Sequence, residues 1–256
     1  MSDSISTWEY GGLPHWKMPF LGRVYRGFQH RIERRFGLLD QEIRARYLMQ
    51  SAAPALNIGC GNHPLPGWLN TDFIPTSQNI MYMGATRPFP FDDEVFEFVY
   101  SEHMIEHIPY LDGLKMLTEC YRVLKPGGRI RIATPNFTFL LRLCRPKKTA
   151  LENAYVKWSN QKFNKHAPED NETFVINNFV RDWGHCFIYD EATLRGALNF
   201  VGFTDIALCK LNESKSHVTR DLENESRMPP GFLRLETLIL EASKAYEAGV
   251  NSTDVA

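Results

Sequence analysis

The stretch Ala55–Asp72 reads ALNIGCGNHPLPGWLNTD and contains two apolar runs that end in chemically telling residues. The first run ends in Gly59-Cys60-Gly61, and the second, Trp68–Phe73, carries Asp72 near its end. Glycines after a buried strand let a ligand approach the backbone, and a carboxylate after the next strand can accept both ribose hydroxyls. The pattern is typical of a parallel sheet that binds a nucleoside. A tight turn beside a surface aspartate is the alternative.

Short apolar runs and helical patterns alternate on either side of this stretch. The runs predict strands at Ala55–Cys60, Trp68–Phe73, Ile80–Met83, Phe96–Tyr100, Arg129–Ala133, Asp205–Lys210 and Leu235–Ala242. Spacings of three and four predict helices at Phe20–Gln50 (broken near Gly37), Pro109–Leu124 and Asp190–Phe200. Leu111, Leu114, Leu117, Cys120, Tyr121 and Leu124 would form the apolar face of the second helix. Strands that alternate with helices predict an α/β protein with a mostly parallel sheet.

Composition excludes several classes of protein. The chain has 256 residues, of which 43% are hydrophobic, and its net charge is -1, so no overall field attracts nucleic acid. No apolar run approaches the 18 residues of a membrane span, and the first residues lack the features of a secretory signal. Five scattered cysteines without a CxxC pair argue against a disulfide framework. Reduced thiols in a cytoplasmic protein fit this composition.

Four further motifs follow the glycine turn in a fixed order. They are RPFPFDD at Arg87–Asp93, SEHMIEHI at Ser101–Ile108, CYRVLKPGGR at Cys120–Arg129 and ATPN at Ala133–Asn136. With the glycine turn, this series over about residues 55–136 resembles the class I S-adenosylmethionine-dependent methyltransferases, in particular their small-molecule and glycan branch. The resemblance implies S-adenosylmethionine as cofactor. It also implies a Rossmann-like sheet of seven strands in the order 3-2-1-4-5-7-6, with strand seven antiparallel.

The same resemblance implies roles for individual residues of the cofactor site. Gly59 and Gly61 would face the methionine part, Asp72 the ribose, and Ala85 and Thr86 the adenine, with Phe91 nearby, while Ser101 would line the methyl-transfer site. Asn57, Cys60 and Phe73 complete the predicted cofactor-binding set. Two positions depart from the family pattern. Asn57 stands where an acid is usual, and Gly84 stands where an aspartate often meets the adenine.

The links between the first three predicted strands are unusually short. Six residues separate Gly61 from Trp68, and the link from Phe73 to Ile80 is equally short, whereas a parallel crossover usually needs a dozen or more. One sheet face should therefore lack two helices, and the segment Phe20–Gln50 is the natural cover. We accordingly divide the chain into an N-terminal helical arm (1–50) and a methyltransferase domain (51–256). Seven arginines between Arg23 and Arg46 leave peripheral membrane contact as an alternative role of the arm.

Histidines supply the candidates for acid–base chemistry. His103-Met104-Ile105-Glu106-His107 spells the inverted zinc-protease motif, which makes a zinc hydrolase an alternative. Pro109 disfavours it because proline rarely continues a helix, and we predict no metal site. His103 and His185 are the predicted catalytic bases, since imidazole titrates near neutral pH. His107 and Glu106 are predicted to organise the start of the following helix.

A substrate-covering insertion is predicted at about residues 137–189. It carries the aromatic residues Tyr155, Trp158, Phe163, Phe174, Phe179 and Trp183. Seven positive side chains lie between Arg142 and His166 against Glu152 alone, which gives +6. We predict methyl transfer to an oxygen, in preference to a nitrogen, of a small or carbohydrate-linked anionic acceptor. A catalytically degenerate S-adenosylmethionine-binding subunit is the alternative. The sequence specifies no oligomeric state.

Overall fold

The computed structural model describes residues 37–246. Within that range a seven-stranded sheet has the order β3-β2-β1-β4-β5-β7-β6. Its strands are β1 (Ala55–Ile58), β2 (Leu69–Asp72), β3 (Met81–Tyr82), β4 (Phe96–Glu102), β5 (Leu124–Pro135), β6 (Thr204–Leu208) and β7 (Thr237–Ser243). Strand β7 runs antiparallel to both β5 and β6, whereas the other pairs are parallel. The predicted fold class, strand order and antiparallel strand are confirmed.

Helices cover the sheet and form the insertion. Residues 37–50 are helical and are called α1. The others are α2 (Tyr110–Val123), α3 (Phe137–Leu143), α4 (Ala150–Phe163), α5 (Glu172–Arg181), α6 (Glu191–Val201) and α7 (Phe232–Glu236), with 3-10 turns at Ile105–His107 and Glu225–Arg227. No helix among these described residues is long and apolar enough to cross a membrane.

The two short crossovers contain no helix, as predicted, and α1 lies over the strands that they connect. Ile43 is buried in the main core. The Asp40 carboxylate accepts a hydrogen bond from the Tyr82 backbone N–H at 2.9 Å. The Tyr47 hydroxyl accepts from the Ala55 N–H at 2.9 Å and lies 3.1 Å from the Gly67 carbonyl oxygen. Helix α1 thus ties β3, β1 and the first crossover together. The predicted helical residues 20–36 lie outside the described range.

Three element predictions were wrong in detail. Strand β5 begins at Leu124 and includes Lys125–Gly128, which we expected to be a helix stop before a strand at Arg129. Leu111 is 69% exposed, because Gly113 and Met116 take buried places on the inner face of α2. No helix was predicted in the insertion at residues 137–189, yet it is largely helical. It holds α3, α4 and α5 around a second core that includes Phe139, Tyr155 and Phe179.

Candidate functional site

The glycine turn after β1 adopts the backbone that its sequence suggests. Gly59 and Gly61 have φ values of +68° and +51°, in the left-handed region. A Cβ at Gly59 would lie 2.3 Å from Cγ of Met104, whereas one at Gly61 would meet open space. The turn therefore packs against the segment after β4 at Gly59 and opens toward solvent at Gly61.

Asp72 holds this turn to the end of β2. Its Oδ2 accepts from the Gly61 N–H at 2.8 Å, and its Oδ1 accepts from the Ile74 N–H at 2.7 Å. The side chain is half-buried. Cys60 is buried beside it, and burial, assisted by the negative charge of Asp72, raises the pKa of its thiol to about 12. Asp72 thus has a structural role here, and its predicted contact with ribose stays a prediction.

The Asn57 side chain is buried within the sheet and bonds to the neighbouring strand β2. Its buried amide donates to Asn70 Oδ1 at 2.9 Å. Asn70 in turn accepts from the Leu65 N–H at 2.7 Å and donates to the Leu65 and Trp68 carbonyls. The amide that replaces the family's usual acid therefore organises the short crossover. A role toward the cofactor amino group remains a prediction.

The predicted adenine side lies beyond β3. Thr86 is exposed and Ala85 is half-buried, while Phe91 is buried edge-on against Phe96 with centroids 4.8 Å apart. The Phe73 ring lies 5.7 Å from that of Tyr82.

A cavity of about 290 Å³ between α1 and the end of β3 is bordered by Asp40, Arg44, Met83, Gly84 and Arg87. It adjoins this side of the sheet and not the histidines described next.

Strand β4 brings Ser101 to the centre of the sheet, level with Ile58 on β1 and Ile132 on β5. Ser101 is buried, and its hydroxyl has no hydrogen-bond partner within residues 37–246. Directly after the strand, His103 adopts a left-handed backbone (φ +47°), and its N–H donates to the Ala133 carbonyl at 2.8 Å. The chain turns sharply at His103 and places the next residues over the carboxyl ends of β4 and β5.

Glu106 is the fully buried acid at this turn. Its Oε1 lies 3.4 Å from His103 Nδ1 and has no hydrogen-bond partner among the described residues, whereas its Oε2 accepts from Thr134 Oγ1 at 3.1 Å. Burial alone would raise the pKa of Glu106, but the neighbouring His103 outweighs it, and the pKa lies below its usual range. The Nε2 of His103 lies 3.3 Å from Thr237 Oγ1.

His185 reaches the same turn from the far end of the insertion. Its ring meets that of His107 edge-on, with centroids 4.9 Å apart. Its Nδ1 lies 2.7 Å from the Phe179 carbonyl, which makes Nδ1 the protonated nitrogen. Burial is the main reason that the pKa of His185 is lowered, so the imidazole is neutral at physiological pH. The two predicted bases, His103 and His185, thus lie on either side of the Glu106-His107 pair.

The H-x-x-E-H motif does not form the helical zinc pair that its spelling suggests. Residues Ile105–His107 form a 3-10 turn, and His103 precedes it in a left-handed conformation. His103 and His107 therefore do not share a face of an α-helix. Glu106, His107 and His185 nevertheless offer donor atoms that all lie within 4.8 Å of one another.

Sequence reasoning missed a second buried acid near His103. Glu236, at the end of α7, accepts a hydrogen bond from the Tyr155 hydroxyl of α4. Burial raises the pKa of Glu236, and the opposing effects of His103 and Tyr155 do not cancel that increase. Glu236 lies at the end of a short helix directly before β7, and no motif surrounds it in the sequence. Sequence patterns therefore could not single out this acid.

The basic residues of the insertion are partly neutralised. Arg142 lies 3.7 Å from Glu152 and Lys148 lies 3.4 Å from Glu172, while the Lys162 ammonium sits 5.0 Å above the Trp158 ring. Exposed Lys147, Lys157 and Lys165 form no ion pair with any residue of the described part.

A chain of ring contacts leads from α4 to His185. Phe163 meets Trp183 at 5.0 Å, and Trp183 meets His185 at 5.6 Å.

Comparison with known proteins adds a family match. A family model described as a methyltransferase domain matches residues 69–132. Phosphoethanolamine N-methyltransferase 2 of Caenorhabditis elegans is 41% identical over 44 residues, which are 17% of this chain. The matched stretch spans 10% of that relative's length.

Solved structures with a similar arrangement include two methyltransferases. A SAM-dependent methyltransferase from Archaeoglobus fulgidus is 17% identical, with a TM-score of 0.43, over 84% of this chain and 99% of that one. Phosphoethanolamine N-methyltransferase 2 of Haemonchus contortus is 15% identical, with a TM-score of 0.41, over 80% of this chain and 52% of that one. The family match over residues 69–132 lies on a sheet with the expected strand order, glycine turn and acid. The chain is therefore similar to methyltransferase domains over residues 69–132 of its 256 residues.

Proposed function

We propose that this protein transfers the methyl group of S-adenosylmethionine to an oxygen of a small anionic acceptor, which includes carbohydrate-linked acceptors. One observation carries the proposal: two histidines and a buried carboxylate meet at the carboxyl ends of β4 and β5, near the glycine turn. Ligands of open α/β sheets bind at this edge. The domain division at residue 50 and the covering role of the insertion belong to the same proposal.

The residues at the sheet edge fit the cofactor. Gly61 opens into free space, Asp72 presents a half-buried carboxylate, and the buried Ser101 hydroxyl lacks a partner in the described part of the chain. In the proposal, Asp72 binds the ribose, Gly59–Gly61 face the methionine portion, and Ser101 faces the transfer site. When bound, S-adenosylmethionine supplies an electrophilic methyl group on a sulfonium. The protein's task is to align the acceptor and to remove its proton.

His103 is the base that the geometry favours. Glu106 beside Nδ1 stabilises a proton on that nitrogen, which leaves Nε2 as the acceptor of a substrate proton. Nε2 already lies within 3.3 Å of the hydroxyl of Thr237. His185 uses Nδ1 to bind the Phe179 carbonyl, so only its Nε2 is available, and burial lowers its pKa. Its position between the insertion and His107 suits it to orient the acceptor.

The insertion supports an anionic acceptor. Lys147, Lys157 and Lys165 are exposed cations without an ion-pair partner in the described range; Lys157 lies in α4 and the other two flank that helix, and aromatic contacts join α4 to His185. A local cluster of one sign concentrates oppositely charged ligands. An amine acceptor is the second candidate, because the similar stretch of 44 residues in the C. elegans protein belongs to an N-methyltransferase.

The test is transfer of radiolabel from labelled cofactor to a panel of hydroxylated sugar phosphates, hydroxy acids and matched amines. We expect the label on oxygen of anionic compounds. Label confined to amines would support the second candidate, and cofactor binding without transfer to any acceptor would support a degenerate subunit. With the acceptor found, Lys147→Gln/Lys165→Gln should raise its KM and flatten the salt dependence of KM. The exposed Lys215→Gln is the matched control, and an unaltered KM in the double variant would contradict the role of the insertion.

The cofactor site has its own test. Asp72→Ala removes a charged carboxylate, and a hydrogen bond from a ribose hydroxyl to a charged group is worth about 1.5–3 kcal/mol, or roughly ten- to a hundredfold in affinity. Calorimetry with S-adenosylhomocysteine should show that loss. Because Asp72 also binds the backbone at Gly61 and Ile74, the melting temperature is measured in parallel. Full affinity in a folded variant would remove Asp72 from the cofactor site.

A further inference from the structure

The cluster of Glu106, His107 and His185 shares Glu106 and His185 with the proposed acid–base site and adds His107, which that chemistry does not use. Two imidazoles and one carboxylate are the ligand set of catalytic zinc sites, in which a fourth position stays open. The same set, in a facial arrangement, binds other divalent first-row metals. Among residues 37–246 these three side chains are the group whose donor atoms come together, all within 4.8 Å of one another.

Glu106 provides an observation that is independent of this proximity. It is 0% exposed, and its Oε1 makes a 3.4 Å contact with His103 Nδ1 but no hydrogen bond within the described residues, while Oε2 accepts from Thr134. A buried carboxylate oxygen that makes no short hydrogen bond destabilises the folded protein unless a proton or a cation binds it. A cation at this position would satisfy it.

The histidines are prepared for ligation by their surroundings. The Nδ1–H of His185 donates to the Phe179 carbonyl, which fixes the tautomer and leaves the Nε2 lone pair free. A metal-bound histidine typically uses its second nitrogen in this way. The ring of His107 is exposed and makes no hydrogen bond with a described residue, so it is reachable from solvent.

Backbone contacts hold the two halves of the cluster in place. The N–H groups of Cys186 and Phe187 both donate to the Glu106 carbonyl, at 2.7 and 3.1 Å. The loop that carries His185 is thereby fixed to the turn that carries Glu106 and His107. The proximity of the three side chains is a consequence of this attachment and not of a chance crossing of two free loops.

We propose that Glu106, His107 and His185 bind a divalent transition-metal ion of the zinc class, whose open coordination position takes an anionic oxygen of the acceptor. The second half of this statement rests on the proposed function, and the first half does not. A tetrahedral ion with bonds of about 2.1 Å separates its ligand atoms by roughly 3.4 Å. The ligand atoms, which lie within 4.8 Å of one another, must therefore approach by up to about 1.4 Å, and rotation of the exposed His107 side chain can contribute this movement.

This site differs from the one that the H-x-x-E-H spelling suggests. His103 is not a ligand here; it stays beside Glu106 and Thr237. Its place is taken by His185 from the other end of the insertion. A carboxylate can ligate through one oxygen while the other keeps its bond to Thr134.

The experiment uses the untagged 256-residue chain after removal of metal with a chelator. Co²⁺ is titrated and its visible d–d absorption recorded, and Zn²⁺ binding is measured by calorimetry and by the shift in melting temperature. We expect one ion per chain with a tetrahedral Co²⁺ spectrum. His107→Gln changes an exposed side chain, which spares the fold, and should weaken binding at least tenfold. His217→Gln, another exposed histidine, should bind as the wild type does.

Addition of inorganic phosphate to the Co²⁺ form tests the open position, and it should alter the spectrum. The site is refuted if the wild type binds no ion at millimolar concentration or if His107→Gln binds as well as wild type. An ion that binds without any spectral response to phosphate refutes the open position. Failure of the proposed function looks different: the ion binds as expected, but no oxygen acceptor is labelled. Oxygen methylation by a chain that binds no ion would leave the proposed function intact and remove the metal.

Discussion

Gly59 and Gly61 have the same left-handed backbone but different surroundings, and this contrast can be measured. Alanine at either position costs about 1–2 kcal/mol in backbone strain. At Gly59 the new Cβ must also displace Met104, whose Cγ and Cβ would lie at 2.3 and 2.9 Å. Such overpacking costs about 1–3 kcal/mol more. Urea denaturation should therefore show Gly59→Ala to be clearly less stable than Gly61→Ala.

Gly196 in α6 provides the control for this pair. It has no left-handed φ and faces open space, so Gly196→Ala should be neutral or stabilising by up to about 1 kcal/mol. Equal losses at Gly59 and Gly61 would mean that the packing of Met104 against the turn is not maintained in solution.

Glu236 should impose a pH dependence on stability. Its pKa is raised, mainly by burial, above the usual value of about 4.3. The folded state then holds this proton more tightly than the unfolded state, and the resulting stability is lost as pH rises from about 4.3 through the folded-state pKa. Glu236→Gln keeps an acceptor for Tyr155 and should melt at a higher temperature than wild type at pH 7.

The two melting curves should converge near pH 4, where the wild-type carboxyl is protonated. The exposed Glu213→Gln serves as the control and should change neither value. A Glu236→Gln variant that is less stable than wild type at pH 7 would show that the carboxylate is ionised and paired in the folded protein.

Residues within one turn were predictable from sequence, and residues joined by the fold were not. The glycine turn was predictable because an apolar run followed by glycines is a local pattern, and the structure joins Gly61 of that turn to Asp72 directly. The contact between His107 and His185 depends on how the insertion returns to β4, which no local pattern encodes. Glu236 was not predicted for the same reason: its contacts with Tyr155 and His103 depend on the fold.

At the scale of elements, Arg131 joins strands β5 and β7 to the segment before α7. It is fully buried and pairs with Glu223 at 2.7 Å and Glu241 at 2.8 Å. Arg131→Met leaves two buried carboxylates without their cation, a change that typically costs about 3–5 kcal/mol. Denaturant unfolding should show this loss.

Two further variants make the Arg131 experiment specific. Adding Glu223→Gln to Arg131→Met removes one uncompensated charge and should restore part of the stability. Lys115→Met breaks an exposed pair with Asp112 and should change the free energy of unfolding by no more than about 1 kcal/mol. A loss at Arg131 as small as that at Lys115 would contradict the buried network.

Elements with a regular apolar face were predictable, whereas those of the insertion were not. Helix α6 was predicted almost to the residue, because its apolar positions repeat and Gly202 ends it. Helix α4 buries Glu152, Ser159 and Asn160 beside Tyr155 and Val156, so its inner face has no apolar period. Its start was nonetheless encoded: Thr149 and Glu152 form a capping box that could have revealed the helix.

At the scale of the whole molecule, the arm should be essential to the sheet. Ile43 is buried, Leu39, Tyr47 and Leu48 pack against the same core, and each such side chain contributes about 1.5–3 kcal/mol when fully buried. Deletion of residues 1–50 removes all four together with the Asp40–Tyr82 hydrogen bond. We expect an aggregating protein or one with a much lower melting temperature.

Deletion of residues 1–36 is the matched control, since it retains every contact described for α1. That variant should keep the oligomeric state of the 256-residue chain and melt close to it. A 51–256 fragment that does not aggregate and keeps an undiminished melting temperature would show that α1 does not stabilise the sheet.

Architecture was the most predictable scale. The short links 61–68 and 73–80 already imply missing crossover helices and a covering segment, and the strand order followed from the resemblance. The length of a link does not specify which contacts the covering helix makes with the sheet. The placement of Asp40 on the β3 backbone depends on the docking of α1, which becomes apparent only in three dimensions.

The position of β7 between β5 and β6 has a consequence for synthesis on the ribosome. Strand β5 ends at Pro135, and its outer neighbour begins at Thr237, so about a hundred residues must be made in between. At roughly 5–20 residues per second, the outer edge of β5 waits about 5–20 s for its partner. An unpaired edge strand is a template for association with other chains. The nascent chain thus passes through a vulnerable interval that ends only when its last strand emerges, and a chaperone that shields strand edges would act there.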